Sequence, residues 1–421
     1  MTVSEGVSQR EAIRKARGSF AAMAATYCLG VFNDNFFKQA AMLIAVAAGK
    51  SSLQGYAAVV FTLPFIFCAA PAGWMADRFS KRNVVIGSKA LELAAMIFGA
   101  AGILLVNWYL VFVMLALMAL QSTIFSPSLN GSIPELYPAE YVTRANGYLK
   151  MFSIGGILAG IATAGIVLDM QGPGFHGASL GQVGVGIVVI GVAILGLAVS
   201  LGVPRRRAAA PERKFPWGGP IETLRTWWDM RKDRLLRTVI LSNVYFWFLG
   251  SLQYLILNPM GLRQFGYSKS LTSYLIAAQL VGIAIGGLIS GWLSQGPRWT
   301  KVLAPSAAVL GACMAAVGAT PYIAAGARLY VLFALLGAAG VAGGIFVIPL
   351  ESFIQVRPDA QRKGAVISAA NAASFVGILL SGLVSNSLNA VLRPTTSYAL
   401  AGLETMLVAL AIMFTFRGGP K

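Results

Sequence analysis

Asn33, Asp34 and Asn35, followed one helical turn later by Lys38, stand inside a stretch that is otherwise apolar. Ionisable groups in such surroundings are costly and persist where they pair, titrate or bind a polar ligand. The i, i+4 spacing lets Asp34 and Lys38 pair on one helix face. A carboxylate accepts hydrogen bonds, an ammonium donates three, and amides do both. The set therefore suits a polar head group, and a self-satisfied ion pair is the simpler alternative. The extra amides within one turn exceed what a structural pair requires and favour a water-filled cavity that binds a polar head. Asp34 follows Phe20 by about 21 Å of helix at ~1.5 Å per residue, which places it in the middle to outer part of a bilayer.

Further polar residues interrupt later apolar stretches. Gln121 falls on a fourth span, Asn146 and Lys150 on a fifth, Glu351 and Gln355 at the inner end of a tenth, and Asn371 on an eleventh. Together with Asn33, Asp34, Asn35 and Lys38 they form the candidate substrate-binding set. Lys89 and Glu92 read as a structural i, i+3 pair. Glu404 on the last span is isolated, and both a peripheral proton site and a misplaced span boundary fit it.

The elements that must carry these groups are membrane helices. The chain has 421 residues, of which 57% are hydrophobic and only 11% charged, against about a quarter charged in soluble domains; its mean hydropathy is +0.71. The apolar stretches are long enough for about twelve spans of ~20 residues each. An all-α integral membrane fold follows, divided into a segment 1–19, a six-helix bundle 20–203, a linker 204–236, a second six-helix bundle 237–416 and a tail 417–421. Within the linker, Ile221, Leu224, Trp228 and Leu235 suggest an amphipathic helix on the membrane surface. No cleavable leader is expected, because the polar, basic first residues run directly into a full-length span.

Lys and Arg number 33 against 15 Asp and Glu, a net charge of +18. They gather in blocks at Arg78 to Arg82, Arg205 to Lys214 and Arg231 to Arg237, all on the side of both termini. The opposite side holds only Lys50, Arg263, Lys269, Arg328 and Arg393. This asymmetry predicts cytoplasmic termini and accounts for the charge through orientation and anionic lipid contact. Nucleic acid is not an expected partner, since no soluble domain exists to carry a basic groove. Cys28, Cys68 and Cys313 fall in apolar spans as packing residues, and no metal or cofactor set is evident.

Between the second and third spans stands Gly73-Trp74-Met75-Ala76-Asp77-Arg78-Phe79-Ser80-Lys81-Arg82. The glycine would permit close helix approach, the aspartate would cap or bridge a helix end, and the cations would hold the loop at the membrane surface. This pattern resembles the signature loop of the major facilitator superfamily, with Ser80 where that loop usually has glycine. The loop from Gly291 to Lys301 looks like a degenerate second copy without the aspartate. The resemblance implies a transporter whose halves rock about a mid-membrane site, with Gly73, Asp77, Arg78 and Arg82 as gating residues rather than substrate contacts.

The run Leu29-Gly30-Val31-Phe32-Asn33-Asp34-Asn35-Phe36-Phe37-Lys38 resembles the first span of bacterial lysophospholipid transporters and of the transporter half of transporter–acyltransferase fusions. Phe125-Ser126-Pro127 with Ile133-Pro134-Glu135-Leu136, Arg144-Ala145-Asn146-Gly147, and Gly343-Gly344-Ile345-Phe346-Val347-Ile348-Pro349-Leu350 look like the same family. The resemblance implies a flippase in the bacterial inner membrane that moves lysophosphatidylethanolamine or a similar amphipathic molecule to the cytoplasmic leaflet for reacylation. Membrane lipids and a separate acyltransferase are the implied partners. In that reading Asp34 receives the ammonium, Lys38 or Lys150 neutralises the phosphate, and Asn33, Asn35 and Gln121 bind the glycerol.

The leading alternative is a proton-coupled exporter of drugs or small amphipathic metabolites, with Asp34 or Glu404 carrying the proton. The fifth span lacks the glycine-proline pair usual in drug antiporters. An enzyme is not expected: the single histidine, His176, has Gly181 where an acyltransferase motif needs aspartate. Gly49-Lys50-Ser51 lacks the earlier glycine of a phosphate loop, whose place is taken by Ile44. A scaffold that presents lipid without moving it would have no need of intramembrane charge.

Overall fold

The computed structural model describes residues 3–416 apart from 138, 176, 206, 213, 295–298 and 359–362. His176 and the middle of the Gly291–Lys301 loop therefore lie outside the described residues. The chain folds into fourteen α-helices among the described residues: α1 Val3–Ala47, α2 Ser52–Phe67, α3 Ala69–Arg78, α4 Lys81–Leu104, α5 Trp108–Leu136, α6 Ala139–Leu168, α7 Leu180–Ser200, α8 Gly219–Met230, α9 Arg234–Pro259, α10 Lys269–Leu293, α11 Trp299–Val317, α12 Ala325–Val356, α13 Lys363–Val391 and α14 Pro394–Phe416. Ten of these helical segments are long and apolar enough to cross a membrane, and the pair α2 and α3, bent by 50°, makes an eleventh. The very residues that give α1 its chemistry, Asn33 to Lys38, lower its hydropathy, and with α1 the long helical crossings come to about twelve.

Three local features depart from the sequence reading. The first segment is not separate from the first span, because α1 is helical from Val3 onward. Its early residues include Glu5, Gln9, Arg10, Glu11, Arg14 and Lys15, all good helix formers. The second span is not one rod. Pro71 has no N–H for the carbonyl four residues earlier, that of Phe67, so α2 stops there, and Cys68 leads into α3. Leu235 is not part of the surface helix; it lies in the first turn of α9, packed on a core with Leu236, Val239 and Leu350.

The surface helix itself is α8. Ile221, Leu224 and Trp228 form one exposed row, 57%, 58% and 64% accessible, while Trp227 Nε1 donates to the Ala369 carbonyl at 2.7 Å and Met230 is buried. The helix ends elsewhere carry conventional caps. Ser179 and Gln182 form a reciprocal capping box at α7, and the side chains of Asn107, Asp233 and Ser268 accept N–H groups at the starts of α5, α9 and α10. Each removes an orphan donor that a helix N-terminus otherwise leaves unpaired.

The chain divides into two compact units, Met1–Ala41 with Leu63–Gly219, and Met42–Thr62 with Pro220–Lys421. In the first, α4 packs against α5 and α7, and α3 against α5. α6 approaches α1 closely at Gly160, where a Cβ would stand 3.0 Å from the Phe36 amide nitrogen. In the second, α10 packs on α12, α11 on α14 and α12, and α9 on α13. The end of α1 and the start of α2 join this second unit through Met42, Ala58 and Leu255 and through a 2.9 Å hydrogen bond from Asn258 Nδ2 to Gln54 Oε1.

Candidate functional site

The polar residues of the first unit converge on Glu92. Lys89 and Glu92 occupy i and i+3 of α4, hence one face, and their Nζ and Oε2 lie 2.5 Å apart with both side chains 1% exposed. The same carboxylate oxygen accepts from Gln121 Nε2 of α5 at 3.1 Å. Its other oxygen accepts from Asn33 Nδ2 of α1 at 3.4 Å, and that amide also donates to the Val189 carbonyl of α7 at 3.1 Å. Lys89 additionally lies 5.3 Å from the centre of the Phe125 ring, a favourable cation–π placement. Gly30 leaves room for the ammonium, since a Cβ there would stand 2.5 Å from Lys89 Nζ.

Asp34 extends the cluster by one residue. Its Oδ2 accepts from Ser122 Oγ at 2.8 Å, and the same hydroxyl lies 2.9 Å from Gln121 Oε1, so one proton serves two acceptors. Asp34 Oδ1 and Asn33 Oδ1 are buried and have no hydrogen-bond partner among the described residues. A buried acceptor left unmatched costs about 1–3 kcal/mol, so each is open to a donor. Lys38, Lys89 and Glu92 all act electrostatically on Asp34. The arrangement can hold a cation at Asp34 while a second, internally neutralised pair stiffens the helices behind it.

The expected binding residues therefore separate into groups. Asn33, Asp34 and Gln121 meet in the cluster. Asn35 does not: its amide turns back to the Val31 carbonyl of its own helix at 2.8 Å. Asn146 and Lys150 are exposed on α6, and their side chains make no hydrogen bond among the described residues. Glu351 and Gln355 on α12 and Asn371 on α13 belong to the second unit, and Gln355 and Asn371 are exposed. Glu404 is exposed on α14.

Sequence reasoning missed the centre of the cluster. Lys89 and Glu92 are more than a local pair, because Glu92 links three helices, and Ser122 was not singled out at all. The signal for Glu92 was two opposite charges deep within an apolar span. In the second unit the buried amides among the described residues are Gln54, Asn243, Gln253, Asn258 and Gln279. Asn243 donates to Ser374 at 3.1 Å, Gln279 to Gln253, and Asn258 to Gln54 as above.

The loop after α3 is anchored on both flanks. Arg82 Nη2 donates to the Leu201 carbonyl at 2.9 Å, just past the end of α7, where a cation complements the helix dipole. Lys81 pairs with Glu135 of α5. Arg78 lies 5.5 Å from the Trp74 ring centre, and the Asp77 carbonyl accepts from the Ala210 amide at 2.9 Å. The close helix approach expected at Gly73 is not made, since a Cβ built there meets no atom within 4 Å.

Asp233, outside the spans, caps α9 and lies 3.0 Å from Arg357 Nε. Burial pushes its carboxyl up, but hydrogen bonds from the Leu236 amide and Arg357, together with the Arg357 charge, outweigh that and hold it below the ordinary aspartate value.

Residues 18–382 match the family model described as Major Facilitator Superfamily. The chain is 26% identical over 395 residues to the lysophospholipid transporter LplT of Klebsiella pneumoniae, covering 90% of this chain and 91% of that protein. Among solved structures it resembles a D-xylose-proton symporter, with a TM-score of 0.71 at 16% identity over 93% of this chain and 96% of the other. It resembles the nucleoside transporter NupG at a TM-score of 0.70 and 13% identity, over 95% of this chain and 99% of the other. These two likenesses speak for the fold alone.

Proposed function

Because the chain belongs to the major facilitator superfamily, we propose that it carries lysophospholipids, lysophosphatidylethanolamine among them, across the bacterial inner membrane to the cytoplasmic leaflet, where a separate acyltransferase restores the second chain. A multi-pass membrane transporter is the premise. The substrate class draws support from the similarity to the Klebsiella pneumoniae transporter along 90% of the chain. The observation that carries it is the Asp34 carboxylate, whose buried Oδ1 has no hydrogen-bond partner among the described residues.

In this reading Asp34 Oδ1 accepts from the ammonium of the head group, with Oδ2 fixed by Ser122 so that the free oxygen stays oriented. Asn33 Oδ1 and Gln121 offer hydrogen bonds to the glycerol hydroxyl. Lys38 or Lys150 neutralises the phosphate, and a charge-assisted contact of that kind is about twice as strong as a neutral one. Asn35, Asn146, Glu351, Gln355 and Asn371 remain candidates for contact at other steps of an alternating-access cycle. The acyl chain is accommodated along the apolar helix faces. Both termini are assigned to the cytoplasm from the placement of Lys and Arg, and Gly73, Asp77, Arg78 and Arg82 are assigned to gating.

The test is transbilayer movement of labelled lysophosphatidylethanolamine in liposomes containing the purified protein, with Asp34→Asn beside wild type and with or without a pH gradient. Movement that is lost in the variant and indifferent to the gradient supports a lysolipid facilitator. An inert wild type, where a control transporter works, overturns the proposal. Movement that requires the gradient would redirect the assignment of Asp34 toward proton coupling.

A further inference from the structure

Five cations lie on the side of the chain opposite the basic loops, and three of them, Arg263, Arg328 and Arg393, line one cavity of about 500 Å³ in the second unit. Ser51, Gln264 and Asn389 complete its polar wall, and none of its lining residues is acidic. Like charges do not gather around an empty space without cost, so the convergence needs an explanation.

Each arginine is placed by a different element. Arg263 and Gln264 sit on a π-helical turn, Met260–Gln264, that follows α9; such turns are rare and concentrate at functional sites. Arg263 Nη1 donates to Ser51 Oγ at 2.7 Å. Gln264 bonds Thr395 twice, donating to Oγ1 at 2.7 Å and accepting the amide at 3.0 Å, which fixes the N-terminus of α14 beside the cavity. Arg328 is held by the carbonyls of Thr320 at 3.2 Å and Ile323 at 3.0 Å and lies 5.2 Å from the Phe265 ring centre. It is a rigid wall rather than a mobile arm.

Arg393 is different. It immediately precedes α14 and is exposed; its carbonyl accepts from the Ser397 amide at 3.0 Å, and its side chain makes no hydrogen bond or ion pair among the described residues. Asn389 donates to Ser385 at 3.2 Å, while its Oδ1 is buried without a hydrogen-bond partner among the described residues. The pocket thus combines two arginines locked in place and a third whose side chain is uncommitted. Guanidinium groups in a fixed arrangement match phosphate oxygens, and the volume lies within the ~300–1,000 Å³ usual for small-molecule sites.

The geometry points to a phosphate-binding site formed by Arg263, Arg328 and Arg393, separate from the Asp34 cluster, that takes a phosphate monoester or diester. Two sources present that chemistry, a free phosphate compound or the phosphate of a lipid head group. Under the orientation proposed above, the site faces the outer side of the membrane; binding itself does not depend on that orientation, nor on lysophospholipid being the cargo.

The test uses the full-length purified chain. Inorganic phosphate is titrated at constant ionic strength against chloride, and in parallel the protein is reconstituted in vesicles of phosphatidylethanolamine and phosphatidylglycerol and the retained phosphatidylglycerol is measured by native mass spectrometry. Wild type, Arg393→Gln and the same-side charge control Lys50→Gln are compared. The expected result is saturable binding weakened about tenfold or more by Arg393→Gln, the scale of one charge-assisted hydrogen bond, and unchanged by Lys50→Gln. Dependence on Arg393 seen only with inorganic phosphate identifies a soluble ligand, and dependence seen only in phosphatidylglycerol retention identifies a lipid head group. Binding of neither probe, equal binding by Arg393→Gln, or equal loss in Lys50→Gln overturns the site.

Discussion

The amide of Asn33 reaches the carboxylate of Glu92 across 3.4 Å, joining α1 to α4, although the two residues are far apart in the chain. Glu92 also answers Lys89 and Gln121. The carboxylate that organises the first unit is therefore not the one expected to touch cargo.

Removing that carboxylate leaves a buried ammonium uncompensated, which costs about 3–5 kcal/mol. Glu92→Ala is expected to lower thermal stability in detergent sharply. A double variant, Lys89→Met with Glu92→Met, is expected to recover most of the loss because both charges leave together. A double variant no more stable than Glu92→Ala would refute the pairing as the cause.

Two glycines separate packing from gating. Gly30→Ala puts a methyl 2.5 Å from Lys89 Nζ, and overpacking of this kind costs about 1–3 kcal/mol. Gly73→Ala enters open space and is expected to leave stability unchanged. If the gating assignment holds, Gly73→Ala nevertheless slows transport, which a flux assay set beside a melting curve distinguishes.

Ser122→Ala removes the hydrogen bond at Asp34 Oδ2 without altering charge. One such bond to a charged group contributes roughly 1.5–3 kcal/mol, and because Ser122→Ala keeps the Asp34 charge, lysolipid movement is expected to fall by less than the loss in Asp34→Asn. Substituting Ser122→Thr, which keeps the hydroxyl, is expected to restore much of it; equal loss in both variants would show that the hydroxyl is irrelevant.

Asp233 gives a pH dependence with a definite sign. Its folded carboxyl holds a proton less tightly than the unfolded chain, whose value is the ordinary 3.8. The stabilisation is complete above that value and is lost as pH falls through the lower folded value, since the unfolded chain then binds more protons. Melting curves on acidification are expected to show a shallower decline in Asp233→Asn than in wild type. Because the Arg357 partner is 47% exposed, the difference is small and shrinks with added salt.

Much of the fold was legible in the residues themselves. Long apolar stretches marked the spans, and the row Ile221, Leu224, Trp228 marked α8. Pro71 was visible too, but a single long apolar stretch hides a break that depends on one missing N–H. The cluster was half legible. Asn33, Asp34 and Gln121 stood out because polar groups in spans are rare, yet nothing in a helix that is apolar on all sides says which face meets which neighbour. That is why Glu92 read as local and why Ser122, an ordinary small residue, gave no signal. Asn146 and Lys150 carried the same signal as Asn33 and proved to be exposed on α6.

The i, i+3 pairing of Lys89 with Glu92 also bears on how the protein is made. A lone charge at the centre of an inserting helix costs about 2.5–3.5 kcal/mol at the translocon. Carrying its own counter-ion one turn away, α4 enters the bilayer as a nearly neutral rod before Gln121 has emerged from the ribosome. Gln121, on the next helix, then meets a carboxylate that α4 has carried in with its own counter-ion.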